Sequence, residues 1–92
     1  MKFQSLHNYS ISKIGGEMVL VPIVDSIAKM DSLLVINETG AFIVEKMEAG
    51  LSLSEIVDGI IHTYNNDDRA QVEKETLAFA EGLCKRGFFN KV

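Results

Sequence analysis

Residues 33–50 read LLVINETGAFIVEKMEAG, and two structural elements follow from that stretch. Leu33-Leu34-Val35-Ile36 is a short apolar run of the kind that forms a buried strand, bounded by Ser32 and Asn37. Asn37 is a good helix N-cap, because its side-chain oxygen accepts from an otherwise unpaired amide of the first turn. Behind it Ala41, Phe42, Val44 and Met47 recur at helical spacing until Gly50 stops the pattern, which predicts a helix from Glu38 to Ala49.

Upstream, Tyr9, Ile11 and Ile14 are separated from Met18 to Val21 and Ile23 by Gly15-Gly16, a pair that supplies the positive φ angles of a two-residue hairpin turn. The second hairpin strand is almost continuously apolar, which predicts a middle position in a small sheet, and Pro22 marks where its ladder weakens. Asp25 to Ser32 is a mixed-polarity connection with a short helical turn expected around Ile27 to Met30. Downstream, Ser52-Leu53-Ser54-Glu55 is a capping box opening a second helix with Ile56, Val57, Ile60, Ile61 and Tyr64 on one stripe. Asn65-Asn66-Asp67 is a turn. Asp68 with Gln71 repeats the capping logic before a long third helix that runs to about Arg86, is ended by Gly87 and has its last turn covered by Phe88.

Three strands followed by three helices predict an α+β domain, a winged helix-turn-helix-like arrangement with the wing strands first. At 92 residues, 47% hydrophobic and 24% charged, the chain is expected to be a single domain over residues 1–92. A chain this size buries only about 60 to 65% of its unfolded surface, which leaves little room for an enclosed active site. Cys84 is the lone cysteine and no stretch has the apolar length to span a bilayer, so no membrane role is expected and a reduced, cytoplasmic setting is.

Catalytic chemistry is hard to find. His7 and His62 have no Cys, Asp or Glu partner at a metal-ligand spacing, so neither metal nor cofactor is expected, and Cys84 falls on the apolar side of the third helix as a small hydrophobe. Gly15-Gly16 lacks the spacing, the Lys and the following helix of a phosphate loop. The chain is therefore expected not to be an enzyme.

Nucleic acid is disfavoured by the formal charge of -4. The second helix has no Lys or Arg, and the basic residues of the third are interleaved with carboxylates as on a solvated face. A winged-helix DNA-binding or regulatory protein is kept as the alternative reading.

Two features go beyond simple packing. A strand at Leu33 to Ile36 on the edge of a three-stranded sheet exposes amides and carbonyls that an extended peptide can pair with, or that a second copy can pair with as a homodimer. On the third helix Val72, Thr76, Phe79, Ala80 and Leu83 form a core stripe that Leu77 and Cys84 widen on one flank, enough to line a groove. Ala78 and Gly82 make a small-residue patch on the other flank, where a mid-helix glycine suggests the close approach of another backbone.

The run VLVPI at Val19 to Ile23, the Leu33 to Gly50 stretch, SLSEIVDGIIHTYN from Ser52 to Asn65 and ETLAFAEGLCKRGFF from Glu75 to Phe89 together resemble the pyrroloquinoline quinone biosynthesis protein D (PqqD) family over nearly the whole chain. The resemblance implies a winged-helix-like recognition element that acts as a peptide chaperone. It binds the leader segment of a ribosomally synthesised precursor peptide and presents the core to a modifying enzyme, often a radical S-adenosylmethionine protein. In the family the leader adds as a strand beside the third strand, in a groove walled by the third helix. Carried onto this sequence, that implies peptide-binding residues Leu33, Leu34, Val35 and Ile36 on the strand and Leu77, Ala80, Glu81 and Cys84 on the helix. Alternate strand residues are then expected to point toward the third helix, with Glu81 and Lys85 setting the polarity of the rim. The connection Asp25 to Ser32 is longer than the tight link of the founding members, so pyrroloquinoline quinone itself is not inferred as the product.

Overall fold

A computed structural model describes all of residues 1–92. In chain order its elements are β1 (Phe3–Ser5), β2 (Tyr9–Ile14), β3 (Glu17–Val24), β4 (Ile27–Ala28), a 3-10 turn (Met30–Ser32), β5 (Leu34–Ile36), α1 (Glu38–Glu48), α2 (Leu53–Tyr64), α3 (Arg69–Lys85) and β6 (Phe89–Lys91). The class is α+β with antiparallel sheets, as the sequence implied.

β3 is the middle strand. It pairs antiparallel with β2 on one side, from Tyr9↔Pro22 to Ile14↔Glu17, and on the other with β4 through Ile23↔Ala28 and with β5 through Leu20↔Leu34, Val19↔Val35 and Met18↔Ile36. The β2–β3 turn uses Gly15 at φ +62°. Pro22, which has no amide hydrogen, takes part through its carbonyl, which accepts from the Lys29 amide at 2.7 Å.

Alternation along β3 places Met18 and Leu20 in the core, both at 0% exposure, with Ile11, Leu34 and Ile36 on the same face. The three helices close over that face with Ile43, Val44, Met47, Ile56, Val57, Val72, Ala80 and Leu83, and the sixteen buried side chains form one contiguous cluster. Asn37 caps α1 by accepting from the Gly40 amide at 2.9 Å, and Ser52 and Glu55 form the full reciprocal box on α2. Asp68 makes only half of one. Its carboxylate accepts from the Gln71 amide, but the Gln71 side chain turns to Glu75. Gly87 at φ +82° ends α3, and the Phe88 amide returns to the Leu83 carbonyl at 3.1 Å.

The structure departs from the sequence reading in four places. β1 and β6 form a separate two-stranded ribbon, so a strand follows the helices as well as preceding them. The expected helical turn at Ile27–Met30 is a two-residue strand instead: Asp25 and Ser26 both take positive φ, at 52° and 66°, and fold the chain back on β3 as a second hairpin. The helical turn comes later, at Met30–Ser32, and it pushes the start of the strand from Leu33 to Leu34. Nothing lies within 4 Å of the position a Cβ would take on Gly82, so no second backbone approaches there.

Candidate functional site

β5 hydrogen-bonds only to β3, so its other edge is free. Three observations define what that edge offers. Leu34 and Ile36 turn inward, and Ile36 is buried at 5% exposure against the core. Leu33 and Val35 turn to the opposite face and are 38% and 51% exposed. The strand is backed by β3 and α1, whereas α3 packs chiefly on α2, α1 and β6. The inward pair is committed to the core cluster that Ala80 also joins, and what remains free is the backbone edge and the two outward side chains.

On α3, Leu77 and Cys84 are half-buried against the same core cluster that Leu34 joins, and Ala80 lies inside it at 0% exposure. Ala80 is thus part of the floor. Glu81 is half-exposed, and its polar partner is Lys91 on β6 at 2.7 Å. The Lys91 ammonium, by its hydrogen bond and its charge, holds the Glu81 carboxyl below the usual carboxylate range and is itself raised. Helical periodicity shows only partners on the same helix, whereas β6 arrives from beyond the Gly87 stop. Burial pushes the Cys84 thiol up, which keeps it protonated.

A separate cleft of about 450 Å³ opens where β5 ends, between the start of α1, the end of α2 and the middle of α3. Asn37 and Tyr64 stand on its wall with Glu75, and Ile43, Val72 and Phe79 supply its apolar lining. The sequence reading placed Phe79 in the core stripe. Here the ring is only half-buried and lies over Gly40, the α1 position whose missing side chain makes the room. A glycine one turn into an otherwise apolar-striped helix was the signal available for it. Neither this cleft nor the shallower one beside the Gly15-Gly16 turn runs along β5.

No three His, Cys, Asp or Glu side chains converge in a way that could hold a metal ion, and no helix is long and apolar enough to cross a membrane.

Two solved structures share this fold. TbiB1 in complex with the TbiA(beta) leader peptide aligns over 100% of this chain and 98% of its own at 24% identity, with a TM-score of 0.79. A lasso peptide synthetase B1 complexed with the leader peptide aligns over 99% of this chain and 100% of its own at 21% identity, also with a TM-score of 0.79. Among curated proteins none matches. The profile of the family described as Coenzyme PQQ synthesis protein D (PqqD) matches residues 17–88, from the first residue of β3 to Phe88 just past the glycine stop of α3, so the elements that present the free β5 edge are the family's own and the chain belongs to the PqqD family.

Proposed function

We propose that this chain is a non-catalytic recognition element that captures the leader segment of a ribosomally synthesised precursor peptide by strand addition on β5 and presents it to a peptide-modifying enzyme. The observation that carries the reading is the unpaired edge of β5, with the half-buried Leu77 and Cys84 flank of α3 packed on the same core. An extended peptide gains main-chain hydrogen bonds along that edge, and groove side chains select among sequences. The binding set is Leu33, Leu34, Val35 and Ile36 with Leu77, Glu81 and Cys84, and Ala80 as the packed floor beneath them. The two solved relatives of the same fold both hold leader peptides. A radical S-adenosylmethionine protein is one enzyme class that fits the partner. One relative is a lasso peptide synthetase, which keeps the partner class as wide as peptide-modifying enzymes.

Amide NMR tests this directly. Titration with a panel of synthetic leader peptides should shift Leu33–Ile36 and the Leu77–Cys84 face, with short duplex DNA as the control. Because strand addition does not neutralise phosphates, the peptide shifts should persist in added salt. Shifts on the helices with DNA alone, weakened by salt, would mean that the fold serves a nucleic-acid ligand.

A further inference from the structure

The face of the sheet turned away from the helices mixes polar and apolar side chains. Where it meets solvent on β2 it presents Ser10 and Ser12, the expected pattern for an exposed antiparallel face, and Ile14 beside the Gly15-Gly16 turn. On β3 it presents Val19 and Val21, which pair with those serines. At the β5 edge it presents Val35, opposite Val19, preceded by Leu33, and these two are markedly exposed. Val21 is 5% exposed although it stands outside the core cluster, and the Met30–Ser32 turn packs against β3 in this region. Uncovered apolar side chains on this face stand at both unpartnered edges of the sheet, Ile14 at 71% exposure on β2 and Leu33 with Val35 at β5, and Met30 at 63% exposure adjoins the β5 pair in sequence.

A strand added to β5 places every second side chain on this outer face, beside Leu33 and Val35 at cross-strand distance. We infer that the outer face is a second reader of the bound peptide: Leu33 and Val35 select apolar, β-branched or aromatic side chains at the leader positions that point away from α3. The substrate class is then a segment apolar in both alternating sets, not in one. This inference rests on strand addition at β5 as the mode of binding.

Panning a displayed library of random dodecapeptides on the native chain and on a Leu33→Thr/Val35→Thr variant tests it, with circular dichroism melts to confirm that the variant is folded. Threonine is β-branched and suits a strand at both positions, and it replaces exposed apolar surface with a hydroxyl. The native chain should enrich apolar residues in both alternating sets, and the variant should lose one set alone. Each cross-strand pair is worth a factor of about 1.5 to 5, so a selected peptide should bind the double variant about 2- to 25-fold more weakly. Enrichment in a single set, or two sets untouched by the variant, overturns the inference while leaving strand addition intact. A β5-paired dimer of the free chain, seen by sedimentation and lost in the variant, would assign the face to a second copy instead. No period-of-two enrichment on either chain sinks strand addition and the inference with it.

Discussion

Phe79 of α3 lies so close over Gly40 of α1 that a Cβ on Gly40 would stand 3.1 Å from the ring's ζ carbon and 3.3 Å from Asn37 Oδ1, the oxygen that caps the helix. Gly40 is therefore held by contact, whereas Gly82, in the body of α3, faces open space. The two glycines should respond oppositely to alanine. Gly82→Ala gains helix propensity with nothing to displace, and should stabilise the protein by about 0.5–1 kcal/mol. Gly40→Ala forces the ring or the cap to shift, and should cost about 1 kcal/mol or more. Urea melts of both variants check the pair. A Gly40→Ala protein more stable than the native chain would remove the contact argument.

Val35 is the position at which to break the peptide edge, because its side chain is exposed and the core cluster does not include it. Proline there removes an amide donor and distorts the strand, while at Leu34 it would also disturb the pairing to Leu20 and the packing behind it. Val35→Pro should reduce leader-peptide affinity by about tenfold or more, the scale of one or two lost charge-free hydrogen bonds plus local distortion. Isothermal titration on a variant that still melts cooperatively is the measurement. Native affinity in that variant would rule out strand addition on β5.

What the sequence showed and what it hid have physical causes. The β2–β3 hairpin, the β5 strand, the three helices and the caps at Asn37 and Ser52 are written in contacts between residues close in the chain, and these were all legible. The β1–β6 ribbon joins Phe3 to Lys91 and Ser5 to Phe89 across almost the entire chain, in segments of three residues each, too short for a period to be seen. The Asp25-Ser26 turn was hidden because positive φ at both positions is usually announced by Asn-Gly or Gly-Gly. At the candidate site the strand and the apolar flank of α3 could be read from spacing. The burial of Ala80 follows the core stripe that helical spacing already marked, whereas the Glu81–Lys91 pair and the half-exposure of Phe79 depend on how α3 lies against β6 and α1, and no local pattern encodes that.

Glu81 and Lys91 tie the groove flank of α3 to the terminal ribbon. The Glu81 carboxyl is lowered and the Lys91 ammonium raised, so what the pair contributes is fully present only while both are charged. It is lost on the acid side as pH falls through the depressed carboxyl pKa, and on the alkaline side as pH rises through the elevated ammonium pKa. Lys91→Gln should raise the Glu81 carboxyl back toward the ordinary carboxylate range, as read by carboxyl-carbon NMR. The melting temperature should barely move, since both groups are solvent-exposed. A Glu81 titration unchanged in Lys91→Gln would show that another cation holds it.

Tyr9 fastens three parts of the fold at one hydroxyl. Its Oη lies 2.8 Å from Ser5 Oγ on β1 and donates to Glu48 Oε2 at 2.9 Å, just at the end of α1, while its ring packs edge-on to Phe88 at 5.3 Å. Burial pushes its phenol up to about 12, with the Glu48 carboxylate adding to the rise and the Ser5 hydroxyl opposing it. In the unfolded chain the same phenol ionises near 10, about two units lower. A folded-state value above the unfolded one means that the stabilisation is complete below the unfolded pKa and is lost as pH rises from there through the folded value. The chain has two tyrosines, so a Tyr64→Phe variant leaves Tyr9 as the sole phenol reporter. Its near-ultraviolet phenolate absorbance should appear with a midpoint about 12, and its melting temperature should fall across the same interval. Adding Glu48→Gln should lower the midpoint, because the carboxylate that repels the phenolate is gone. A midpoint near 10, about that of free tyrosine, would mean that the ring is not held against the Phe88 and Phe89 side chains as the structure has it.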